Sequence, residues 1–123
     1  MTAVPQTPDQ QQSGLDLVSG ALGLQLDPAK IAVEGLRFKR AQLLEWNGAP
    51  LAQIVYLDAE DRPIAFCIRQ ASVGGPEGLT DASMLGMAAT TWQSGEYGFI
   101  VIGPAEQEKI RKAADQLSRN LPA

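Results

Sequence analysis

Apolar and polar residues alternate in a series of short segments through the middle of the chain. The first segment loses its alternation near Arg40 and Ala41, and such a phase slip is typical of a β-bulge. The first three segments follow one another with only short polar turns between them, which predicts an antiparallel meander. The pattern predicts about five strands, over residues 35–46, 50–58, 63–70, 87–92 and 97–103.

The residues between these segments favour turns. Asn47 and Gly48 separate the first two strands, and both tolerate the positive φ of a type I′ turn. Residues 71–86 hold four glycines and one proline and are expected to form a loop, in which a helical turn could begin at Thr80 or Asp81.

Helical periodicity is confined to the two ends of the chain. A short apolar stripe predicts a helix over residues 14–22, with Ser13 as N-cap and Gly23 as its stop. A second helix is predicted over residues 104–120, starting at Pro104. Its acidic residues come early and its basic residues late, the order that the helix dipole favours. The apolar stripe of this second helix consists of Ile110, Ala113, Ala114, Leu117 and Leu121.

The fold class that follows is α+β: an antiparallel meander sheet with a short N-terminal helix and an amphipathic C-terminal helix packed on it. The strands 50–58 and 63–70 carry apolar residues on both faces, and the continuous apolar run 99–102 predicts a strand covered on both faces. Either the N-terminal helix covers the second face of the sheet, or a partner chain does so in a homodimer.

Composition places the chain among ordinary single domains. It has 123 residues, 45% of them hydrophobic and 20% charged. Residues 1–13 contain two prolines and four glutamines with little to bury, so they are expected to be a disordered linker or tether before a single domain over 14–123. The sequence contains neither a secretory signal nor an apolar run of transmembrane length.

The scarcity of reactive residues limits the chemistry. The chain has no histidine and one cysteine, Cys67, which excludes imidazole catalysis, an intrachain disulfide and a multi-cysteine metal site. Cys67 lies in an apolar strand and is expected to be a small buried hydrophobe. The net charge of −4 argues against nucleic acid as a partner. We therefore expect no enzyme, no catalytic, cofactor-binding or metal-ligating residue, and no cofactor.

Acidic residues are the remaining candidates for chemistry. Asp58, Glu60 and Asp61 share one predicted turn, and Asp81 lies in another. Their spacing does not match a calcium loop, and a solvated hairpin tip is the better interpretation. An enzyme that uses Asp58 or Asp81 remains a minor alternative.

Three further features could belong to an interaction surface. Arg37, Lys39 and Arg40 form a basic cluster that marks either a solvent face or a partner surface. The tryptophans Trp46 and Trp92 end their strands and either cover the rim of the sheet or anchor a ligand. Together with the loop 71–86, they are where a binding site is first expected, and alanine substitution of both tryptophans with signalling and fold unchanged would remove that hypothesis.

Two minor features favour structural roles. The glycine-rich run 74–78 lacks the Lys and Ser/Thr of a phosphate-binding loop and is expected to be flexible. Met84 and Met87 are expected to fill the core.

Four segments carry a resemblance to a known family. They are GLRFKRAQLL, NGAPLAQIVYLDAEDRPIAFCIR, TTWQSGEYGFIVIG and the closing amphipathic helix. Together, over roughly residues 20–120, they resemble the extracytoplasmic C-terminal domain of bacterial transmembrane anti-sigma factors. The matching positions are Gly35, Leu36, Arg37, Phe38, Gly48, Pro50, Ala52, Gln53, Tyr56, Trp92, Gly95, Tyr97, Gly98 and Gly103.

The resemblance implies a periplasmic sensory or regulatory domain. In that family a cytoplasmic domain binds an extracytoplasmic-function sigma factor, a single transmembrane helix follows, and the periplasmic domain receives the signal. An envelope protein or a small ligand would be the signal here. The sigma factor and the membrane would be reached only through N-terminal parts that this sequence lacks, and a natural start at Met1 would contradict the interpretation. The alternative is a free-standing, cytoplasmic domain that binds a small molecule or self-associates.

Overall fold

The computed structural model describes residues 7–70 and 78–121. Within them lie α1 (Pro8–Leu22), β1 (Arg37–Trp46), β2 (Ala49–Leu57), β3 (Pro63–Gln70), β4 (Thr80–Met84), β5 (Met87–Ser94), β6 (Tyr97–Gly103) and α2 (Gln107–Asn120). The strands form one antiparallel sheet in the order β1-β2-β3-β6-β5-β4. The predicted α+β class is confirmed, but the sheet has six strands where the sequence predicted about five.

The additional strand, β4, lies where a loop or helical turn was predicted, so the prediction at Thr80 and Asp81 is wrong. Leu85 and Gly86 join β4 to β5, and both have positive φ, 54° and 76°. This is the backbone of a tight hairpin turn, but a leucine at its first central position is not the usual turn signal. β4 is an edge strand with mostly exposed side chains, so it has no apolar alternation to reveal it. The remaining part of the predicted loop, residues 71–77, lies outside the described residues.

The first hairpin follows its sequence signals closely. Asn47 and Gly48 both have positive φ, 52° and 78°, as the predicted turn requires. The register between β1 and β2 shifts between Phe38 and Arg40, which confirms the predicted bulge. The side-chain amide of Gln11 in α1 donates to the carbonyl oxygens of Phe38 and Lys39, at 3.3 and 3.1 Å, beside this bulge.

The N-terminal helix is longer than predicted. It begins at Pro8 rather than near residue 14, and its N-cap is Thr7 rather than Ser13, so residues 8–13 are helical rather than disordered. Residues 1–6 of the predicted tether lie outside the described residues. Thr7 and Gln10 form a reciprocal capping box, which satisfies two backbone donors in the first turn. The predicted stop is correct, because Gly23 adopts a left-handed conformation with φ of 67°.

The C-terminal helix lies close to its predicted place. It starts at Gln107 with Glu106 as N-cap, rather than at Pro104. Ile110, Ala113 and Leu117 are buried on the sheet, so the predicted packing of this helix on an apolar sheet face is confirmed.

Both helices cover the same face of the sheet. Leu15 and Val18 of α1 and Ile110 of α2 belong to one core with Ile54 and Phe66 of the central strands. Of the two alternatives for the second face, cover by the N-terminal helix is therefore wrong, and cover by a partner chain stays a prediction.

The central strand β6 is likewise covered on one side only within the described structure. Phe99 and Val101 are buried beneath the helices, whereas Ile100 and Ile102 point to the other side and are half-buried. The predicted cover on both faces is absent from the described residues.

Candidate functional site

No described element packs on the sheet face opposite the helices, although Val55 and Ala89 on that face are buried. Successive side chains of a strand point to opposite faces, and register partners on neighbouring strands point to the same face. The strand pairing therefore shows which residues lie on the face away from the helices. We call it the open face. It consists of Arg37, Arg40, Gln42, Leu44, Trp46, Ala49, Leu51, Gln53, Val55, Leu57, Pro63, Ala65, Cys67, Arg69, Thr80, Ala82, Met84, Met87, Ala89, Thr91, Gln93, Gly98, Ile100 and Ile102.

Charge on the open face has one sign. Among its described residues Arg37, Arg40 and Arg69 are basic and none is acidic, although the whole chain carries a net charge of −4. The three arginines lie on β1 and β3, so the half of the face formed by β6, β5 and β4 is uncharged. Large exposed apolar patches on folded domains commonly belong to interaction sites, so this face is the candidate site.

The two candidate tryptophans have different environments. Trp46 is 50% exposed on the open face, and the Arg69 guanidinium lies 4.8 Å from its ring centroid, in a cation–π contact. Trp92 is buried, and its ring lies against the core rings of Phe66 and Phe99, at 5.9 and 5.1 Å. Of the pair, Trp46 is therefore accessible to a partner, whereas Trp92 is part of the core.

Cys67 lies near the middle of the open face and is half-buried rather than fully buried. Burial raises the pKa of its thiol to about 11. The thiol is therefore protonated at neutral pH, which disfavours a nucleophilic role. Met84 and Met87 also lie on this face rather than in the core, and Met84 is 40% exposed.

Asp58 is buried, so the predicted solvated tip is wrong for this residue and correct only for Glu60 and Asp61. Its carboxylate accepts hydrogen bonds from the backbone N–H groups of Glu60 and Arg62, both at 2.9 Å. It also accepts from Arg62 Nε at 2.9 Å and lies 3.6 Å from Lys109 Nζ of α2.

The hydrogen bond from the Arg62 backbone N–H is the largest cause that lowers the pKa of Asp58, to about 2. A carboxyl group with this pKa is ionised at neutral pH and has no proton to donate. Asp58 closes the β2–β3 turn and binds it to α2.

The second carboxylate, Asp81, has partners of its own. It accepts from Arg111 Nη1 at 2.7 Å and from Thr90 Oγ1 at 3.2 Å. β3, β6 and β5 lie between β2 and β4 in the sheet, so the structure does not bring Asp58 and Asp81 together. No pair of catalytic carboxylates results from these two residues.

The predicted basic cluster does not act as one group. Arg37 forms an exposed ion pair with Asp61 across the edge of the sheet. Lys39 is the extra residue of the bulge, and Arg40 lies on the open face. Arg37 and Arg40 thus share the open face, and Arg37 is already paired with Asp61.

A shallow groove lies between α2 and the segment before β1. It has a volume of about 150 Å³ and is lined by Val33, Glu34, Leu36, Ile64, Lys109, Lys112, Ala113 and Gln116. Ligand sites for molecules of cofactor size enclose about 300–1,000 Å³, so this groove is too small for one.

Two tyrosines attach the N-terminal segment to the sheet, a role that residue patterns did not indicate. The hydroxyl of Tyr97 donates to the carbonyl oxygen of Leu22, the last residue of α1, at 2.8 Å. Gln70 Nε2 donates to the same oxygen at 3.2 Å. Tyr56 is buried, which raises the pKa of its hydroxyl, and it donates to the carbonyl oxygen of Ile31 at 2.6 Å. Tyrosine hydroxyls bind backbone carbonyls far away in sequence, so only the folded chain reveals these contacts.

The described residues, 7–70 and 78–121, include neither a metal-binding cluster nor a helix suited to span a membrane. They contain no group of three Cys, Asp or Glu residues placed to hold a metal ion. None of their helices combines the length and the apolar character that crossing a bilayer demands.

Comparison with models of known protein families gives no match, and comparison with curated proteins gives none either.

Proposed function

We propose that this chain is the extracytoplasmic sensory domain of a membrane-anchored anti-sigma factor that controls an extracytoplasmic-function sigma factor. The proposal rests on the motifs that resemble this family. The observation that carries it is the attachment of α1 to the sheet, in which the motif residue Tyr97 binds the last carbonyl of the helix. The other motif tyrosine, Tyr56, binds Ile31, which lies beyond α1, and takes no part in the contact with the helix.

Such a domain must pass a change in its own state toward its N-terminus, where the transmembrane helix would lie. α1 is the first described element of the chain and contacts β1 most extensively. Gln11 binds the carbonyls at the bulge of β1, and Gly14 packs directly against the backbone of Ala41. A partner that displaces the sheet would therefore displace α1, and a two-state change at α1 could reach the tether.

A second candidate function is a self-associating domain without a sigma-factor role. The open face favours it, because that face is largely apolar and no described element packs on it. The two candidates differ in what precedes the domain: the first requires a sigma-binding segment and a transmembrane helix, and the second requires neither.

The experiment begins with the complete reading frame that encodes this chain. If that frame contains a sigma-binding segment and a transmembrane helix, the full protein is expressed with its sigma factor and a sigma-dependent reporter. We expect deletion of residues 7–121 to abolish the response of the reporter to envelope stress while the protein stays in the membrane. A reading frame that starts at Met1, or an unchanged response, would contradict the proposal.

Point variants then test the role of α1. Tyr97→Phe removes the hydrogen bond to Leu22 and is expected to alter the stress response. Tyr56→Phe is the matched control, because it removes a tyrosine hydroxyl that binds Ile31 rather than α1. Equal responses from two equally abundant variants would argue against transmission through α1.

A further inference from the structure

We propose that the open face is the interface of a homodimer in which two copies pack sheet against sheet, related by a two-fold axis parallel to the strands. The proposal holds whether or not the domain belongs to an anti-sigma factor. It follows from the area of the face, from the order of its side chains and from the placement of its charges.

The area is sufficient for a stable pair. Six strands about 4.8 Å apart, with lengths of about 20–25 Å, present roughly 600–700 Å² of sheet per copy. The pair would bury about 1,300 Å², within the range of specific interfaces. Two sheets at the usual separation of about 10 Å allow their side chains to interdigitate.

The proposed axis brings particular strands together. Because the sheet order is β1-β2-β3-β6-β5-β4, an axis between β3 and β6 places β1 over β4, β2 over β5 and β3 over β6 of the other copy. Along one row of register partners, Ile102 then faces Ala65, and both are half-buried in the single chain. A large side chain meets a small one there, which close packing requires. Val55 and Ala89 of the same row are already buried in the single chain, so they add no accessible surface to the interface.

The next row of register partners has polar side chains at both of its ends. Two amide side chains lie at one end and two hydroxyl side chains at the other. Gln42 and Gln53 occupy β1 and β2, whereas Thr91 and Thr80 occupy β5 and β4. The axis places Gln53 over Thr91 and Gln42 over Thr80, so amides can bind hydroxyls across the interface. In the middle of this row, Cys67 and Ile100 lie on either side of the axis.

The charges are also compatible with this arrangement. Arg40 faces Ala82 of the other copy, and Arg69 faces Gly98, whose missing side chain leaves room for a guanidinium. An axis perpendicular to the strands would instead place the arginine-bearing half of one copy on the arginine-bearing half of the other. Like charges brought together in this way are unfavourable.

Sedimentation of the full chain over a concentration series up to about 1 mM tests the dimer itself. We expect a reversible monomer–dimer equilibrium that Ile100→Glu shifts to monomer, because the two new carboxylates lie beside the axis. Leu17→Glu is the matched control, since Leu17 lies on the exposed side of α1, 57% exposed, and away from the open face. A strict monomer, or a dimer that persists in folded Ile100→Glu, overturns the proposal.

Two substitutions of opposite charge at Ala82 test which strands face each other in the dimer. Ala82 lies on the edge strand β4, where a long side chain can be accommodated. Ala82→Glu would face Arg40 of the other copy and is expected to tighten the dimer several-fold, whereas Ala82→Arg is expected to weaken it about tenfold. Equal effects of the two substitutions, or the opposite order, would overturn the proposed axis. Circular dichroism spectra verify that both variants are folded.

Discussion

The carboxylate of Asp58 connects the β2–β3 turn to α2. It accepts two backbone hydrogen bonds inside the turn, binds the Arg62 side chain and lies near Lys109. An acidic residue in a polar turn normally points to water, so residue type alone indicated exposure. The folded turn buries the carboxylate instead, because its own N–H groups and the start of α2 replace the solvent.

The titration of Asp58 makes stability depend on pH in a specific direction. Its pKa is lowered from 3.8 to about 2, so its stabilising contribution is complete above pH 3.8 and is lost as the pH falls through about 2. We expect Asp58→Asn to lower the unfolding free energy at pH 7, and the difference from the natural chain to shrink between about pH 4 and pH 2. Urea denaturation at a series of pH values measures this.

Asp61→Asn is the matched control for that measurement. Asp61 lies in the same turn with a positive φ of 60°, which asparagine tolerates, and its ion pair with Arg37 is exposed. We expect only a small change in the unfolding free energy at pH 7, because the exposed ion pair contributes little. If Asp58→Asn behaved in the same way, the buried carboxylate would not have the role assigned to it.

At the scale of elements, α1 approaches the sheet unusually closely at one glycine. A Cβ atom on Gly14 would overlap the carbonyl oxygen of Ala41 in β1, whereas a Cβ atom on Gly20 would meet nothing within 4 Å. Glycine lowers helix stability wherever it occurs in a helix interior. At Gly14 the missing side chain lowers helix stability, but it also allows a close contact between α1 and β1 that a side chain would prevent.

The two glycines predict opposite effects of the same substitution. Gly20→Ala is expected to stabilise the protein by about 1 kcal/mol through helix propensity. Gly14→Ala is expected to destabilise it by about 1–3 kcal/mol, because the overlap with backbone outweighs the gain in propensity. Thermal or urea denaturation of the two variants measures the difference. Stabilisation by both substitutions would show that α1 does not pack on β1 at this distance.

At the scale of the whole molecule, one sheet face supports two helices on different strands. α1 contacts β1 and β2, whereas α2 contacts β5 and β6, and the central strands join the two halves into one core. A chain with a single continuous core is expected to unfold in one cooperative transition. The energetic effects of substitutions in the two helices should still be independent, because the helices pack on different strands.

Additivity tests this arrangement. We expect Val18→Ala in α1 to cost about 1.5–3 kcal/mol and Ile110→Val in α2 about 0.5–1.5 kcal/mol. The double variant should lose the sum of the two values to within about 0.5 kcal/mol, in a single transition. Urea denaturation monitored by circular dichroism and by tryptophan fluorescence gives both quantities. Two separate transitions would contradict the single core.

Local signals predicted most elements of this fold. β3 and β6 occupy their predicted ranges, the Asn47–Gly48 turn has the predicted conformation, and the bulge of β1 lies where the alternation slips. These features depend on residue preferences and on periodicity within a few positions, which a single sequence contains. β4 was missed because an exposed edge strand buries too little to show a period.

The candidate site was predictable only in part. Apolar residues on both sides of β2 and β3 indicated that a second face needed cover, and the exposed Trp46 was among the residues expected to bind a partner. The sequence could not show that Trp92 lies in the core or that Asp58 and Asp81 are kept apart. Those outcomes depend on strand order, which brings together residues far apart in the chain.

By itself, the sequence determined the α+β class, the amphipathic C-terminal helix, the main hairpins and the absence of imidazole chemistry. Each depends on composition or on interactions between near neighbours. Only the tertiary structure decided that both helices share one face of the sheet, and that Tyr97 and Tyr56 attach the N-terminal segment to it. The periodicity of an element tells which of its faces is apolar but not which surface buries that face, because the second surface comes from a distant part of the chain.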